Sequence, residues 1–160
     1  NIGDKYRNVI GIFMNQIMQA RELTIFGDGT QTRAFSYIDD VAIPIARSVT
    51  ISEAYNEVFN IGADKPYSVN ELAKVVSEHF GVEPNIKYLS ARNEVLHAYS
   101  DHSKAHKVFG QPSALDLKEG IKRMAEWAKK VGARTSKEFN DIEITEKLPD
   151  GWGMKKQAVA

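Results

Sequence analysis

The sequence predicts an α+β fold, a small domain of helices with short two- or three-stranded sheets. Three observations lead there. Apolar residues recur at helical spacing in long stretches. The β-leaning runs are only four to six residues long. Those runs lie scattered between the helices, and the helices outweigh them.

The elements follow in chain order. From Tyr6 to Gln19 the apolar residues are Val9, Ile10, Phe13, Met14, Ile17 and Met18, three to four apart, a wide helical stripe. Leu23–Phe26 reads as a short strand, and Gly27-Asp28-Gly29-Thr30 as a turn, because two glycines around an Asp tolerate positive backbone angles. Arg33–Ile38 leans to β. Asp39-Asp40 before Val41 reads as a helix start, with acids favoured by the helix dipole. Pro44 is placed early in that helix, where a missing amide is tolerated. Glu57–Ile61 is a further expected strand, stopped at Gly62.

Ser68-Val69-Asn70-Glu71 fits a capping box. Behind it Leu72, Val75, Val76, His79 and Phe80 share one face, and Gly81 closes the helix in a left-handed conformation. Asn85–Leu89 is a strand, and Ser103–Phe109 a short helix ending at Gly110. Asp116-Leu117-Lys118-Glu119 is a second capping box, opening a helix with Leu117, Ile121, Met124, Ala128 and Val131 on one side and Gly132 at its end. Residues 133–160 have no helical period. Asp141–Thr145 alternates like an edge strand, Pro149-Asp150-Gly151 is a turn, and the last residues are expected to fray. Phe59, Phe80 and Tyr88 are expected in the core, and Trp127 and Trp152 as packing residues.

Composition removes several functions. The 160 residues carry 21 basic and 21 acidic side chains and no cysteine. Phosphate-rich nucleic acid needs a local surplus of Lys and Arg, so no nucleic-acid partner is expected. Without cysteine there is neither a disulfide scaffold nor a thiolate zinc site. No apolar stretch approaches the ~20 residues that span a bilayer. The polar opening Asn1-Ile2-Gly3-Asp4-Lys5 lacks a signal-peptide core, and a cytoplasmic location is the expectation.

Self-contained catalytic motifs are also missing. No glycine-rich G-x-G-x-x-G or G-x-x-G-x-x-G follows a strand; Gly27–Thr32 comes nearest and lacks the third glycine and the helix. No Tyr has a Lys four residues on, and no G-x-S-x-G or H-E-x-x-H occurs. His102 and His106 stand four apart, which reads as two exposed helix histidines better than as a zinc pair without a third ligand. No catalytic residue and no metal ligand are assigned.

The run Leu23–Val41 carries more. Arg33 follows the glycine turn on a β-leaning segment with Phe26, Phe35 and Tyr37 around it. A guanidinium on a rigid strand suits a phosphate gripped by two parallel hydrogen bonds. A strand edge beside an aromatic ring suits a planar base. A plain hairpin with Arg33 paired to Asp39 or Asp40 explains the same residues.

This run closely resembles the L-T-I-F-G-D-G-x-Q-x-R-D-F-x-Y-V-D-D-V signature of the extended short-chain dehydrogenase/reductase family, the NAD-dependent nucleotide-sugar epimerases and dehydratases. Val58–Gly62 with Ser68–Ala73 is similar to that family's F-N-I-G and S-V-x-E-L-A. Arg92–Val95 with Ser100–Ala105 resembles R-x-G-D-V and D-x-S-K-A. Phe109–Pro112 resembles F-G-W-x-P, and Leu117–Trp127 the closing L-x-x-G-L-x-x-x-x-x-W helix. The chain departs from the pattern at Ala34 (usually Asp), at Asn93 (usually Gly), and in the R-x-E spacing of Arg92 and Glu94, one residue short of the usual.

The resemblance implies a nucleotide-sugar-binding domain over residues 1–131 and a C-terminal extension over 132–160. It implies the substrate-binding half of a UDP-glucose 4-epimerase-like enzyme, with a 4,6-dehydratase or decarboxylase half as the alternative. The N-terminal Rossmann domain would be absent, in keeping with a chain that starts at Asn1 without an initiator Met. NAD would then belong to the complete enzyme, with no cofactor bound by this chain alone. Arg33 and Arg92 would grip the diphosphate of a UDP-sugar, Thr24 and Phe26 would hold the uracil through main-chain groups, Asn8 would reach the diphosphate from the first helix, and Glu94 would contact the ribose. A half separated from its Rossmann domain would expose apolar surface on the first helix and self-associate. A standalone nucleotide-sugar-binding module of no enzymatic role is the reading from a different class.

Overall fold

The computed structural model describes residues 2–4, 7–110 and 115–136. Its elements run α1 (Val9–Met18), β1 (Leu23–Phe26), β2 (Thr32–Ala34), α2 (Ile38–Arg47), a 3-10 turn at Ser52–Ala54, β3 (Pro66–Ser68), α3 (Val69–Phe80), β4 (Ile86–Leu89), β5 (His97–Ala98), α4 (Ser103–Phe109) and α5 (Leu117–Val131). The mixture of helices with two- and three-stranded sheets is the predicted α+β class. β1 pairs with β4 in parallel, Leu23 opposite Ile86 and Phe26 opposite Leu89. β2 is the middle of the second sheet, antiparallel to β3 and parallel to β5, so that Arg33 stands between Tyr67 and Ala98.

One core joins the first sheet to three helices. Phe13 and Met14 of α1, Leu23 and Ile25 of β1, Leu72 and Val76 of α3, and Ile121 and Ala128 of α5 are buried together. The alternation of β1 explains its part: Leu23 and Ile25 point inward, leaving Thr24 and Phe26 half-buried on the other face. A smaller cluster packs Phe109 edge-on against Phe59, ring centroids 5.0 Å apart, with Ala54 and Ala105.

Local chemistry sets most boundaries. Ser68 and Glu71 form the expected capping box on α3, and Gly81 ends that helix at φ 69°. Asp28 holds the turn before β2 by accepting from the Thr30 amide at 2.9 Å and the Thr30 hydroxyl at 2.7 Å.

Several expectations fail for physical reasons. The β-leaning Arg33–Ile38 run is a strand only through Ala34, and Ile38 already opens α2. Pro44 lies well inside α2 and not in its first turn. Glu57–Ile61 forms no strand; Lys104 Nζ takes the Val58 carbonyl at 2.9 Å, and Val58 is 83% exposed. Asp116 caps no amide of α5, because its carboxylate accepts from the Tyr67 hydroxyl at 3.1 Å. Tyr88 is exposed, its hydroxyl donating to Asn70 at 3.1 Å, and Trp127 is 44% exposed. His102 is neither exposed nor helical. It is 4% exposed, just before α4, with Nδ1 2.7 Å from Asp64 and Nε2 2.9 Å from Ser100 Oγ, and His106 is mostly buried beside it. Phe59 and Phe80 do pack against the core clusters.

The exposed apolar surface is also elsewhere than expected. Phe13 and Met14 of α1 lie in the core, with Val9, Ile10, Ile17 and Met18 packed against it. α2 buries no residue, and Ile38, Ile43 and Ile45 on it are exposed together with Val49 beyond its end. The edge strand at Asp141–Thr145, the Pro149-Asp150-Gly151 turn, Trp152 and Pro112 lie outside the described residues. Among the described residues no helix is long and apolar enough to cross a membrane.

Candidate functional site

A cleft follows the unpaired edge of β1. The amides of Leu23 and Gly27 donate to Asn85 and Leu89 on the β4 side, at 2.7 and 2.9 Å. Strand alternation therefore turns the main-chain groups of Thr24 and Phe26 to the opposite edge. Two carboxamides meet them there. Gln16 of α1 accepts from the Thr24 amide at 3.3 Å and donates to the Thr24 hydroxyl at 2.9 Å. Gln31 Nε2 donates to the Phe26 carbonyl at 2.8 Å. The Thr24 carbonyl and the Phe26 amide remain, adjacent along the edge, an acceptor beside a donor.

Charge gathers at one end of this edge. Arg33 is held by β2, its Nη1 donating to the carbonyls of Thr32 and Leu96 at 2.7 and 3.2 Å and its Nη2 to Glu94 at 3.1 Å. The other Glu94 oxygen accepts from Gln31 at 3.4 Å. Arg92 stacks on the Phe26 ring, its guanidinium carbon 3.2 Å from the ring centroid. Burial pulls the Arg92 guanidinium below its ordinary value, and the Glu94 charge works against that. A guanidinium stays protonated either way and stays available to an anion.

Of the sequence-predicted residues, the structure brings five together: Thr24, Phe26, Arg33, Arg92 and Glu94 line one cleft of about 210 Å³. A larger cleft of about 780 Å³ adjoins it, sharing Thr24, Phe26 and Arg92. Asn8 is not among them. It precedes α1 in a left-handed conformation, φ 65°, its side chain accepting from the Gly11 amide at 3.4 Å, and it lines a separate cavity with Tyr37 and Trp127. Arg33 pairs with Glu94 and with neither Asp39 nor Asp40; the Asp40 carboxylate takes the Leu115 amide at 3.0 Å.

Sequence reasoning missed Gln16 and Gln31, both largely buried. A carboxamide inside an apolar helix, and one directly after a glycine turn, were the available signals. Among the described residues no group of three or more His, Asp or Glu is placed to hold a metal ion.

Residues 2–62 match the NAD dependent epimerase/dehydratase family. The chain carries an NAD-dependent epimerase/dehydratase domain. A Methanocaldococcus jannaschii protein, provisionally assigned as a UDP-glucose 4-epimerase, is 39% identical over 122 residues, 76% of this chain. The UDP-glucuronate 4-epimerase of Thermodesulfobacterium geofontis is 33% identical over 73% of this chain. The fold superimposes on UDP-glucose 4-epimerase of Thermotoga maritima, solved with UDP-glucose, with a TM-score of 0.73 and 32% identity over 81% of this chain. The chain spans 39% and 36% of the lengths of those two relatives and 42% of the solved chain.

Proposed function

We propose that this chain is the substrate-binding part of a nucleotide-sugar 4-epimerase and that it takes a UDP-sugar along the β1 edge. The observation that carries this reading is the adjacency of the Phe26 amide and Thr24 carbonyl to the Arg33–Glu94–Arg92 group. A uracil ring presents a carbonyl beside an N–H, the complement of that donor–acceptor pair. Two guanidiniums at one end of the edge suit the two phosphates. Glu94 suits the ribose hydroxyls between them.

Among the described residues, the glycine turn does not fit NAD. The Gly27–Gly29 turn joins two strands and opens no helix, and a side chain on Gly29 would land on the Asn70 carboxamide that already fills the turn. Asn70 Nδ2 donates to the Asp28 carbonyl there at 2.9 Å. The dinucleotide and the proton-transfer chemistry therefore belong to a Rossmann domain as partner. The exposed Ile38, Ile43 and Ile45 of α2 are the surface for it, and an unpartnered chain self-associates through the same face. UDP-glucuronic acid decarboxylases at 26–29% identity favour a decarboxylase part as the second reading.

Calorimetry with UDP tests the site. Weak binding is expected, because the cleft beside Arg33 and Glu94, about 210 Å³, covers only part of the ligand. Arg33→Ala should lower the affinity about tenfold, the scale of one lost charge-assisted hydrogen bond set against release of Glu94. Unchanged affinity in Arg33→Ala removes the diphosphate assignment, and NAD binding by this chain alone contradicts the reading.

A further inference from the structure

Beyond α5 the chain turns back. Gly132, at φ 75°, redirects it, and residues 133–136 come to lie against α1. Asn15 makes that contact with both ends of its carboxamide. Its Nδ2 donates to the Arg134 carbonyl at 2.9 Å, and its Oδ1 accepts from the Arg134 amide at 2.8 Å. Gln19 Nε2 adds a second bond to the same carbonyl at 3.0 Å. Asn15 is only 6% exposed, buried in α1 beside Phe13, Met14 and the equally buried Gln16. A buried carboxamide that matches the amide and the carbonyl of one residue, acceptor to donor and donor to acceptor, is a specific tether.

The tethered residues have a cleft to wall. The part of the β1-edge site that holds Arg33 and Glu94 is about 210 Å³, below the roughly 300–1,000 Å³ of small-molecule sites. The adjoining cleft is about 780 Å³, and Ala133, Arg134, Thr135 and Ser136 line it together with Thr24, Phe26 and Arg92. Along α1 the smaller part borders Val9 and Phe13, and the larger part borders Asn15 and Gln19. The larger part is thus the end away from the Arg33–Glu94 pair.

We propose that residues 133–136 are a strap that completes the nucleoside end of the nucleotide site, and that Asn15 is the positioning residue that latches it. The strap rests on the proposed UDP-sugar reading. It gives the base a second wall without which the Thr24–Phe26 edge stands open to water. Arg134 adds a guanidinium to Arg21 at that end, with Arg92 shared between the two parts, suited to stack on a pyrimidine face or to receive an anionic ligand group.

The test compares UDP with inorganic pyrophosphate in calorimetric titrations of the unsubstituted chain, Asn15→Ala and Arg134→Pro. The second variant deletes the amide that Asn15 receives, at an exposed position outside the core. Both variants should bind UDP about tenfold more weakly while pyrophosphate affinity stays within about twofold. Hydrogen exchange supplies a variant-free readout: UDP should slow exchange of the amides at 134–136 in the unsubstituted chain. Equal losses for UDP and pyrophosphate would mean that Asn15 acts through the fold and would overturn the strap. So would unchanged UDP affinity, or exchange at 134–136 that UDP leaves unaltered. An unsubstituted chain that binds pyrophosphate but shows no preference for UDP fails the UDP-sugar reading itself, and the strap with it.

Discussion

Gln31→Leu removes the polar hinge of the site with little change of volume. Gln31 is 8% exposed and lies just before β2, and its carboxamide reaches back across the turn to the Phe26 carbonyl at 2.8 Å and to Glu94 at 3.4 Å. The substitution strands the Phe26 carbonyl at a half-buried edge. An unsatisfied buried acceptor costs about 1–3 kcal/mol. The adjoining cleft admits some water to that carbonyl, which holds the expected loss to about 1–2 kcal/mol. For a domain of this size that lowers the melting midpoint by roughly 3–6 °C. Thermal unfolding followed by circular dichroism reads this directly, and UDP titration of the same sample should show weaker binding as the strand edge loosens. Gln31→Glu provides the sign. Its new carboxyl faces the Phe26 carbonyl and the Glu94 carboxylate, so its folded-state pKa rises above the unfolded ~4.3. The variant should then regain stability relative to the parent as pH falls, because the protonated carboxyl can donate. A midpoint for Gln31→Leu within about 1 °C of the parent, or a Gln31→Glu deficit independent of pH, would refute the hinge.

Two further predictions concern the supports of the site. Gly29→Ala should destabilise the chain by about 1–3 kcal/mol in urea unfolding, since Gly29 sits at φ 78° against Asn70, whose Oδ1 is held in turn by the Tyr88 hydroxyl; an unchanged urea midpoint would mean that the turn relaxes without Asn70. Glu71 is held below the ordinary carboxylate value, first by the Ser68 amide and then by the Ser68 hydroxyl. A depressed folded pKa contributes stability that is full above the unfolded value near ~4.3 and is lost as pH falls through the folded value. Glu71→Gln should flatten the acid limb of the melting-midpoint profile below about pH 4.5, and a limb of unchanged slope would place that acid sensitivity elsewhere.

The fold class was legible because it rests on short-range chemistry. The period of Val9–Met18, the Ser68–Glu71 capping box and the glycine stops at Gly81 and Gly110 are each written within a few residues. Failures came where a distant partner decided. Glu57–Ile61 has strand-forming residues, but Lys104, forty-six positions beyond Val58, claims its carbonyl. Asp116 looked like a cap, and Tyr67 drew its carboxylate away. His102 looked exposed because local spacing does not announce Asp64. The site divides in the same way. Arg33, Arg92 and Glu94 stand in motifs whose resemblance named them. Asn15, Gln16 and Gln31 act through carboxamides aimed at peptide groups, and a carboxamide in a helical stripe reads as an interruption until its partner is placed.

The Arg33–Glu94 pair constrains how such a site could work. Across the cleft the fixed charges are Arg33, Arg92 and Glu94, a local sum of one positive charge in a chain of zero net charge. A diphosphate brings two negative charges, matched by two guanidiniums only if Glu94 ceases to neutralise Arg33. The carbonyls of Thr32 and Leu96 hold Arg33 independently of Glu94, and Arg92 lies on Phe26, so on the proposed reading the rearrangement falls on Glu94. On the proposed reading, the displaced carboxylate keeps its Gln31 bond and accepts from the ribose hydroxyls, so one rearrangement frees the phosphate grip and makes the sugar contact. Before ligand arrives, the same pair spares the chain an uncompensated cluster of positive charge. Glu94 therefore couples the two ends of the nucleotide: a ligand with phosphates but no ribose pays for breaking the pair and receives nothing in return from the carboxylate.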